Sequence, residues 1–229
     1  MKEVRKKWLT EYTPLIVTFI GIVISAIVFK QAFIKTLPVC ISLFVWLLSS
    51  RADRVAFLVG AINAGIYCIG YFMEGVYGTM VSSLISMTIQ AMSFFVWKKN
   101  AYKRATEFKK LNGVRRAGLG VGIIMTWLIS SFVLYKMGGQ EYILDGLVLT
   151  LGFVVPVMKM AALIDALPLN LLSITISLIM WVRIVFVNGA IANITYCISM
   201  IFTLYMAIRM TIKWLGLYKE QQNNKQEKI

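Results

Sequence analysis

Long apolar runs dominate this chain, and two stretches of it repeat each other at a fixed offset. Glu74-Gly75 ends one apolar run, and Asn188-Gly189 ends another 114 positions later. The hydrophobic span after the first pair ends at Trp97-Lys98-Lys99, and the span after the second pair ends at Lys213-Trp214. A membrane protein built from two similar halves is most simply a transporter, with the substrate held between halves that rock against each other.

The composition excludes a soluble globular protein. Hydrophobic residues make up 59% of the chain and charged residues 15%, and the mean hydropathy is +0.76. A soluble domain needs a more even mixture. The net charge of +14 could suggest a nucleic-acid-binding protein, but the basic residues lie between apolar runs and at the termini. That distribution is typical of a membrane protein, so we predict a lipid bilayer as partner and no nucleic acid.

No residue pattern indicates an enzyme. The chain contains no histidine, which removes the commonest general base, metal ligand and near-neutral pH switch. Cys40, Cys68 and Cys197 are isolated within apolar runs, so we predict packed free thiols. No span carries paired carboxylates, and no nucleotide-binding loop is present. We therefore predict no catalytic site, no metal and no cofactor.

About eight apolar spans follow one another along the chain. Most have the length of about 17 to 25 residues that a bilayer requires. The first lacks a small-residue cleavage site and leads directly into another span, so we do not expect a cleaved signal peptide. The fold class is predicted to be an all-α integral membrane protein. The predicted spans are 13–29, 34–48, 54–73, 78–97, 117–136, 142–162, 167–187 and 191–214.

The distribution of Lys and Arg predicts the orientation. When the N-terminus is placed in the cytoplasm, 20 of the 24 Lys and Arg residues lie on the inner side, among them Lys159 at the inner end of the sixth span. The long loop 98–116 alone contributes eight of them. Lys and Arg are enriched in cytoplasmic loops, so both termini are predicted to be cytoplasmic.

The spans divide into an extra N-terminal helix, a three-helix repeat, a linker helix and a second three-helix repeat. A single linker gives both repeats the same orientation, so they are predicted to be parallel. Each repeat opens with a helix that holds one proline, Pro38 or Pro156, which is either a transport hinge or a tolerated kink. The predicted units are 1–30 for the N-terminal tail and extra helix, 31–100 for the first repeat, 101–138 for the basic cytoplasmic loop and linker helix, 139–216 for the second repeat, and 217–229 for a disordered cytoplasmic tail.

Polar side chains within the spans mark a candidate pocket, because such groups are costly in hydrocarbon. Asn63 and Tyr67 share one helix face. At the 114-residue offset Tyr67 corresponds to Trp181, so a flat heterocycle could stack between the two rings. Hydrogen bonds between packed helices and an interfacial aromatic belt are the alternatives. The predicted substrate-binding residues are Asn63, Tyr67, Gln90, Asn170, Trp181, Asn193 and Tyr196.

Two groups of charged residues near the span ends are candidates for gates that close the transport path. Asp145 and Arg183 form an outer gate or extend to the lipid headgroups. The cluster of Arg51, Asp53 and Arg54 forms an inner gate or a solvated loop. No carboxylate lies mid-membrane, which favours uniport over proton coupling. It also weakens the case for thiamine, although cation–π contact could hold a cation.

A family resemblance rests on Gly60-Ala61-Ile62-Asn63, Tyr77, Gln90 and Trp97-Lys98-Lys99. These residues resemble the first repeat of the PnuC family, bacterial carriers of nicotinamide riboside and related vitamins or nucleosides. The second repeat resembles it through Asp145, Asn188-Gly189 and Trp214, and the likeness covers roughly residues 34–216. It implies a fold like the SWEET sugar carriers and a place in the bacterial inner membrane. It also implies facilitated diffusion of a nucleoside-like substrate that a cytoplasmic kinase traps, and it leaves a homo-oligomer open.

The chain departs from that family at the start of the seventh span. The family's nicotinamide riboside carriers have two tryptophans three apart there, followed one turn later by an asparagine. This chain has Leu167-Pro168-Leu169-Asn170 and no tryptophan nearby. The resemblance therefore leaves a sister substrate open, such as a deoxynucleoside or thiamine. The alternative function is the substrate-capturing subunit of an ATP-driven vitamin uptake system, which eight spans with parallel repeats disfavour.

Overall fold

Eight helices make up nearly all of the computed structural model, which describes residues 2–30, 33–73, 77–99, 101–102, 105–136, 142–187 and 194–226. Two short strands, β1 (Ala101–Tyr102) and β2 (Ala105–Thr106), pair antiparallel between the fourth and fifth helices. The predicted all-α fold with eight helices is confirmed. The helices are α1 (Lys2–Val28), α2 (Phe33–Ser50), α3 (Val55–Met73), α4 (Tyr77–Lys99), α5 (Gly113–Lys136), α6 (Tyr142–Met160), α7 (Ala166–Phe186) and α8 (Ile194–Gln226).

The outer surface of the helices is apolar. Helices α5 to α8 are each long and apolar enough to cross a membrane, and α1 to α4 carry shorter apolar segments within the described residues. On α5, the side chains of Val121, Leu128 and Phe132 are more than half exposed. Monomeric soluble proteins rarely expose contiguous apolar surface on this scale. The chain is therefore a multi-pass membrane protein whose outer faces contact lipid.

Six of the helices form a closed ring. Around this ring α2 packs on α3, α3 on α4, α4 on α6, α6 on α7, α7 on α8, and α8 on α2. Helix α1 packs outside the ring against α8 and α2, and α5 packs outside it against α6. The two predicted repeats thus build the ring, while the extra helix and the linker helix lie at its periphery.

The helices α2 and α6 end in the same backbone turn. Ala52 has φ 53° and Ala162 has φ 55°, a left-handed conformation that is uncommon for residues other than glycine. The N–H of Ala52 donates to the carbonyl of Ser49, and the N–H of Ala162 donates to the carbonyl of Lys159. The two turns lie 110 positions apart in sequence. This separation in sequence gives the residue-by-residue correspondence between the first two helices of one repeat and those of the other.

The predicted offset of 114 is therefore wrong for these helices. At the structural offset of 110, Tyr67 corresponds to Ser177, not to Trp181. The offset is larger in the third helix of each repeat, where Trp97 and Trp214 occupy matching places 117 positions apart. The segments between the helices differ in length in the two repeats, so one constant offset cannot align them.

Two tryptophans close the ring in matching fashion at one end. The Nε1–H of Trp97 donates to the carbonyl of Lys159 at 2.9 Å, and the Nε1–H of Trp214 donates to the carbonyl of Ser49 at 3.0 Å. The end of α4 therefore meets the end of α6, and α8 meets the end of α2 at Trp214, before α8 continues to Gln226. Both pairs of helices run in the same direction, so the repeats are parallel as predicted. We call this end of the bundle, where Trp97 and Trp214 lie, the tryptophan end.

Part of the basic loop 98–116 packs onto the tryptophan end. Phe108 is buried there, with its ring centroid 6.2 Å from that of Trp97 and 4.9 Å from that of Trp214. The Asp165 carboxylate pairs with Arg116 at 2.7 Å and accepts the N–H of Leu111 at 2.7 Å. This part of the loop is therefore packed structure that joins the two repeats, in addition to its basic charge.

Helix α8 continues beyond the second repeat to Gln226. Residues 217–226 are therefore helical where the sequence predicted a disordered tail, and residues 227–229 lie outside the described residues. The side chain of Gln221 is buried, and its Oε1 accepts the N–H of Phe108 at 2.9 Å. A contact across 113 residues stabilises this polar helix, and local composition carries no sign of it.

Helix α5 meets α6 at a glycine that leaves no space for a side chain. A Cβ atom built on Gly146 would lie 2.9 Å from the backbone nitrogen of Ser131 and 3.0 Å from its Cα. Small residues of this kind allow membrane helices to approach each other closely.

Gly146→Val is expected to destabilise the protein, because the new side chain would push α5 away from α6. Overpacking typically costs about 1–3 kcal/mol. The midpoint of thermal unfolding in detergent measures this loss. Gly122→Val is the matched control, because a Cβ atom at Gly122 meets nothing within 4 Å. Equal midpoints for the two variants would contradict the close contact between α5 and α6.

Candidate functional site

A cavity of about 290 Å³ lies within the first repeat and reaches the last turns of α6. Helices α2, α3 and α4 line most of it. Helix α6 contributes Pro156 and Lys159. The cavity is thus built unequally from the two repeats, although the repeats themselves correspond closely at the tryptophan end.

A polar stripe on α4 forms one wall of the cavity. Ser83, Ser86, Gln90 and Ser93 all line it, and their spacings of three and four residues place them on a single helix face. The Nε2 of Gln90 donates to the Oγ of Ser86 at 3.0 Å. Polar groups buried in a membrane bundle need partners, so this stripe makes one side of the cavity suitable for a ligand that forms hydrogen bonds.

Helix α3 approaches this wall most closely at Gly60. A Cβ atom at Gly60 would collide with the Oε1 of Gln90. Because Gly60 has no side chain, the Gln90 amide has room between α3 and α4. A larger residue at position 60 would displace this amide from the cavity.

Asn63 and Tyr67 lie on the next two turns of α3 and also line the cavity. The Nδ2 of Asn63 donates to the Oγ of Ser42 at 2.9 Å, and that Oγ lies 3.4 Å from the Oη of Tyr67. The side chain of Asn63 is 6% exposed, and its Oδ1 has no hydrogen-bond partner among the described residues. An unpaired buried acceptor is costly. The atom itself is enclosed, so Asn63 would have to turn its amide toward the cavity to accept a hydrogen bond from a ligand.

Three aromatic rings line the cavity, those of Trp46, Phe57 and Tyr67. Tyr67 was predicted from the sequence, and Trp46 was not. A usable signal was present, since Ser42, Trp46 and Ser49 recur at four and three residues on α2 and mark a polar-aromatic helix face. A flat ligand can stack on such rings while the amides bond its edges.

The predicted site residues divide into three groups. Asn63, Tyr67 and Gln90 line the cavity. Asn170, Trp181 and Tyr196 do not line it, and Asn193 lies outside the described residues.

Trp181 and Tyr196 stack on each other, with ring centroids 4.5 Å apart and planes inclined by 16°. Trp181 therefore stacks on Tyr196 in the described part of the chain. The predicted correspondence of Trp181 with Tyr67 does not hold at the offset of 110.

Lys159 lines the cavity although the sequence did not predict it as a site residue. It was counted among the basic residues of the inner membrane face, but its side chain lines the cavity. Its Nζ donates to the Oδ1 of Asn170 at 2.7 Å and lies 5.4 Å from the ring centroid of Trp46. Asn170 therefore contacts Lys159, which lines the cavity, but does not line the cavity itself.

Contacts at the predicted inner gate favour structural roles. The Oδ1 of Asp53 accepts the N–H of Val55 at 2.9 Å, which caps the start of α3. The guanidinium of Arg54 lies 5.3 Å from the ring centroid of Phe94. Asp145 lies in the first turn of α6 and Arg183 in the last turn of α7, and neither lines the cavity.

The two prolines are not equivalent in the structure. At the offset of 110, Pro156 corresponds to Trp46, and Pro38 lies about two turns earlier along α2. Pro156 lines the cavity, whereas Pro38 is buried near the start of its helix. A hinge role for either proline stays a prediction.

Within the described ranges, no three His, Cys, Asp or Glu side chains lie close enough together to hold a metal ion. Cys40, Cys68 and Cys197 are free thiols. The chemistry offered by the cavity is therefore hydrogen bonding, stacking on aromatic rings and the charge of one lysine.

Comparison with known proteins places the chain among transporters. A family model described as nicotinamide mononucleotide transporter matches residues 32–216. A crystal structure of the vitamin B3 transporter PnuC is similar in fold, with a TM-score of 0.77 and 15% sequence identity, and the similarity covers 92% of each chain. No curated protein matches the chain.

Proposed function

We propose a substrate class and a mechanism from one premise: the chain belongs to the nicotinamide mononucleotide transporter family. It is a membrane transporter, not an enzyme. The proposed substrate is a nucleoside or a nucleoside-like vitamin of the nicotinamide riboside class. The protein would take it up by facilitated diffusion, and a cytoplasmic kinase would then trap it.

The polar and aromatic cavity inside the helix ring is the observation that carries this proposal. Small-molecule sites typically have volumes of about 300–1,000 Å³, and this cavity of about 290 Å³ is near the lower end. Asn63 and Gln90 offer amide groups for the edges of a base or a ribose, and Trp46, Phe57 and Tyr67 offer rings for stacking. A lipid-soluble substrate would have no need of these polar groups.

The parallel ring supports alternating access between the two repeats. At the tryptophan end, the indole of Trp97 bonds α4 to α6, and the indole of Trp214 bonds α8 to α2. Both contacts cross from one repeat to the other. We propose that they separate when the cavity opens at this end and re-form when it closes.

The proposed orientation places the tryptophan end in the cytoplasm of a bacterial inner membrane. Lys109, Lys110, Arg115 and Arg116 lie in the loop that packs onto this end or just after it, and cytoplasmic loops are rich in such residues. Both termini are then cytoplasmic. No Asp or Glu is among the residues that line the described cavity, which supports uniport without a proton relay.

Uptake into liposomes tests this function. Purified protein is expected to equilibrate radiolabelled members of the class across the membrane without ATP or an ion gradient. Gly60→Ala is expected to slow uptake at least tenfold, because the new Cβ would displace the Gln90 amide. Gly152→Ala on α6 is the matched control, since a Cβ there meets nothing within 4 Å.

Two results would contradict the proposal. Binding without uptake by the protein alone would favour the substrate-capturing subunit of an ATP-driven system. No binding to nicotinamide riboside, its derivatives, deoxynucleosides or thiamine would exclude the substrate class. The charge of these compounds is expected to decide which of them the cavity binds.

A further inference from the structure

We propose that Lys159 makes the cavity select against positively charged substrates. The ligand would place an anionic group or a carbonyl oxygen against the Lys159 ammonium. This inference rests on the proposed function and narrows its substrate class to neutral or anionic nucleoside-like compounds.

The position of Lys159 is the first support. It belongs to the last turn of α6, yet its side chain turns toward the cavity instead of the membrane surface. Its Nζ makes one hydrogen bond within the described structure, to the Oδ1 of Asn170 at 2.7 Å. An ammonium group carries three donors. Donors thus remain for a ligand in the cavity.

The surroundings of Lys159 are the second support. None of the cavity-lining residues is acidic, and Lys159 has no ion pair in the described part of the chain. Two carboxylates at this end of the bundle have other partners, because Asp165 pairs with Arg116 and Asp53 caps α3. A charged group inside a membrane bundle is costly without a partner and marks a functional position. The missing partner is then supplied by the substrate.

Asn170 is the third support, because it holds the ammonium in place. Its side chain is 5% exposed, its Oδ1 accepts the Lys159 bond, and its Nδ2 has no partner among the described residues. The ring of Trp46 lies 5.4 Å from the Nζ on another side, a distance at which a cation is attracted to an indole. Asn170 and Trp46 together position the charge at the cavity wall. Asn170 acts through Lys159 and is a positioning residue.

Symmetry shows that this charge belongs to one side of the site. The counterpart of Lys159 in the first repeat is Ser49, which also lines the cavity and is uncharged. The cavity therefore has a single positive pole near the tryptophan end. Asn63 and Gln90 add neutral amide groups to the same lining. A substrate with an acceptor group for the ammonium and no positive charge of its own matches this lining.

Electrostatics gives the expected size of the effect. Two like charges separated by several ångströms in a partly buried site change an affinity by at least about tenfold. Nicotinamide riboside and thiamine carry a permanent positive charge on their aromatic rings. The cavity should bind both more weakly than compounds of the same shape without that charge.

Three probes of nearly equal shape test the proposal. Nicotinamide riboside is a cation, and dihydronicotinamide riboside is its uncharged reduced form. Nicotinic acid riboside keeps the ring charge but has a carboxylate in place of the carboxamide, so it is a zwitterion whose carboxylate can meet the Lys159 ammonium. Dissociation constants are measured by calorimetry on the full-length protein in nanodiscs. The parent is expected to bind the uncharged and carboxylate probes at least tenfold more tightly than the cation. Lys159→Met is expected to bring these ratios close to one.

Two further variants distinguish the effect of the charge at position 159 on these ratios from the effect of the protein's net charge. Lys159→Arg keeps a cation in the cavity and is expected to preserve the ratios. Lys110→Met removes one charge from an exposed position on the same end of the bundle and is also expected to preserve them. Gel filtration and thermal unfolding show whether Lys159→Met folds. If it does not, the affinity ratios of the parent and of Lys159→Arg still decide whether the cavity selects against a cation, and ratios near one would refute it.

The outcomes that overturn the inference differ from those that overturn the function. Equal affinity of the parent for all three probes, or unchanged ratios in a folded Lys159→Met protein, would refute charge selection and leave the transporter proposal standing. A parent that binds none of the probes, and no deoxynucleoside or thiamine, would refute the proposed function and the inference with it.

Discussion

Trp97→Ala is expected to cost about 3–5 kcal/mol of folding stability, the range typical of large aromatic residues replaced in a packed core. The indole is 1% exposed, and its ring centroid lies 5.4 Å from that of Trp214 and 4.7 Å from that of Phe57. The substitution also removes the bond to the carbonyl of Lys159 that ties α4 to α6. Both the packing and the link between repeats are lost together.

The midpoint of unfolding in a denaturing detergent titration measures this loss. Phe95→Ala is the control, because Phe95 lies on the same helix and is 65% exposed. Trp97→Phe keeps most of the packing and removes the N–H donor, so it should cost only about 1 kcal/mol. A Trp97→Ala protein as stable as Phe95→Ala would mean that the tryptophan end does not hold the repeats together.

Asn63→Ala is expected to weaken substrate binding at least tenfold. The substitution removes an amide group from the lining of the cavity and the bond to Ser42, whose Oγ also contacts the Tyr67 hydroxyl. The loss of a buried hydrogen-bonding partner typically costs about 1–3 kcal/mol. Binding of the tightest probe identified for the parent, measured by calorimetry, reports the change.

Ser173→Ala provides the control for Asn63→Ala. Ser173 occupies the place in α7 that corresponds to Asn63 in α3, and it does not line the cavity. Its substitution should leave affinity unchanged. Similar losses of affinity in both variants would indicate a site formed symmetrically by the two repeats. That result would contradict a site in the cavity within the first repeat.

Some of the candidate site could be predicted from sequence, and some could not. Asn63 and Gln90 were found because polar side chains stand out in apolar helices. Lys159 and Trp46 were missed because a lysine near a helix end and a tryptophan in an apolar run are both ordinary in membrane proteins. Only the rotation of α2 and α6 about their axes turns these two residues toward the cavity.

The sequence by itself determined the class, the helices and the parallel arrangement of the repeats. Apolar length sets which segments form membrane helices, and the single linker between two triples sets their direction. Tertiary structure alone decided the register between repeats and the position of the cavity. The turns at Ala52 and Ala162 give an offset of 110, which differs from 114 because the connecting segments vary in length. Packing around the ring places the cavity in one repeat, since a helix can present any face to its neighbours until they are in contact.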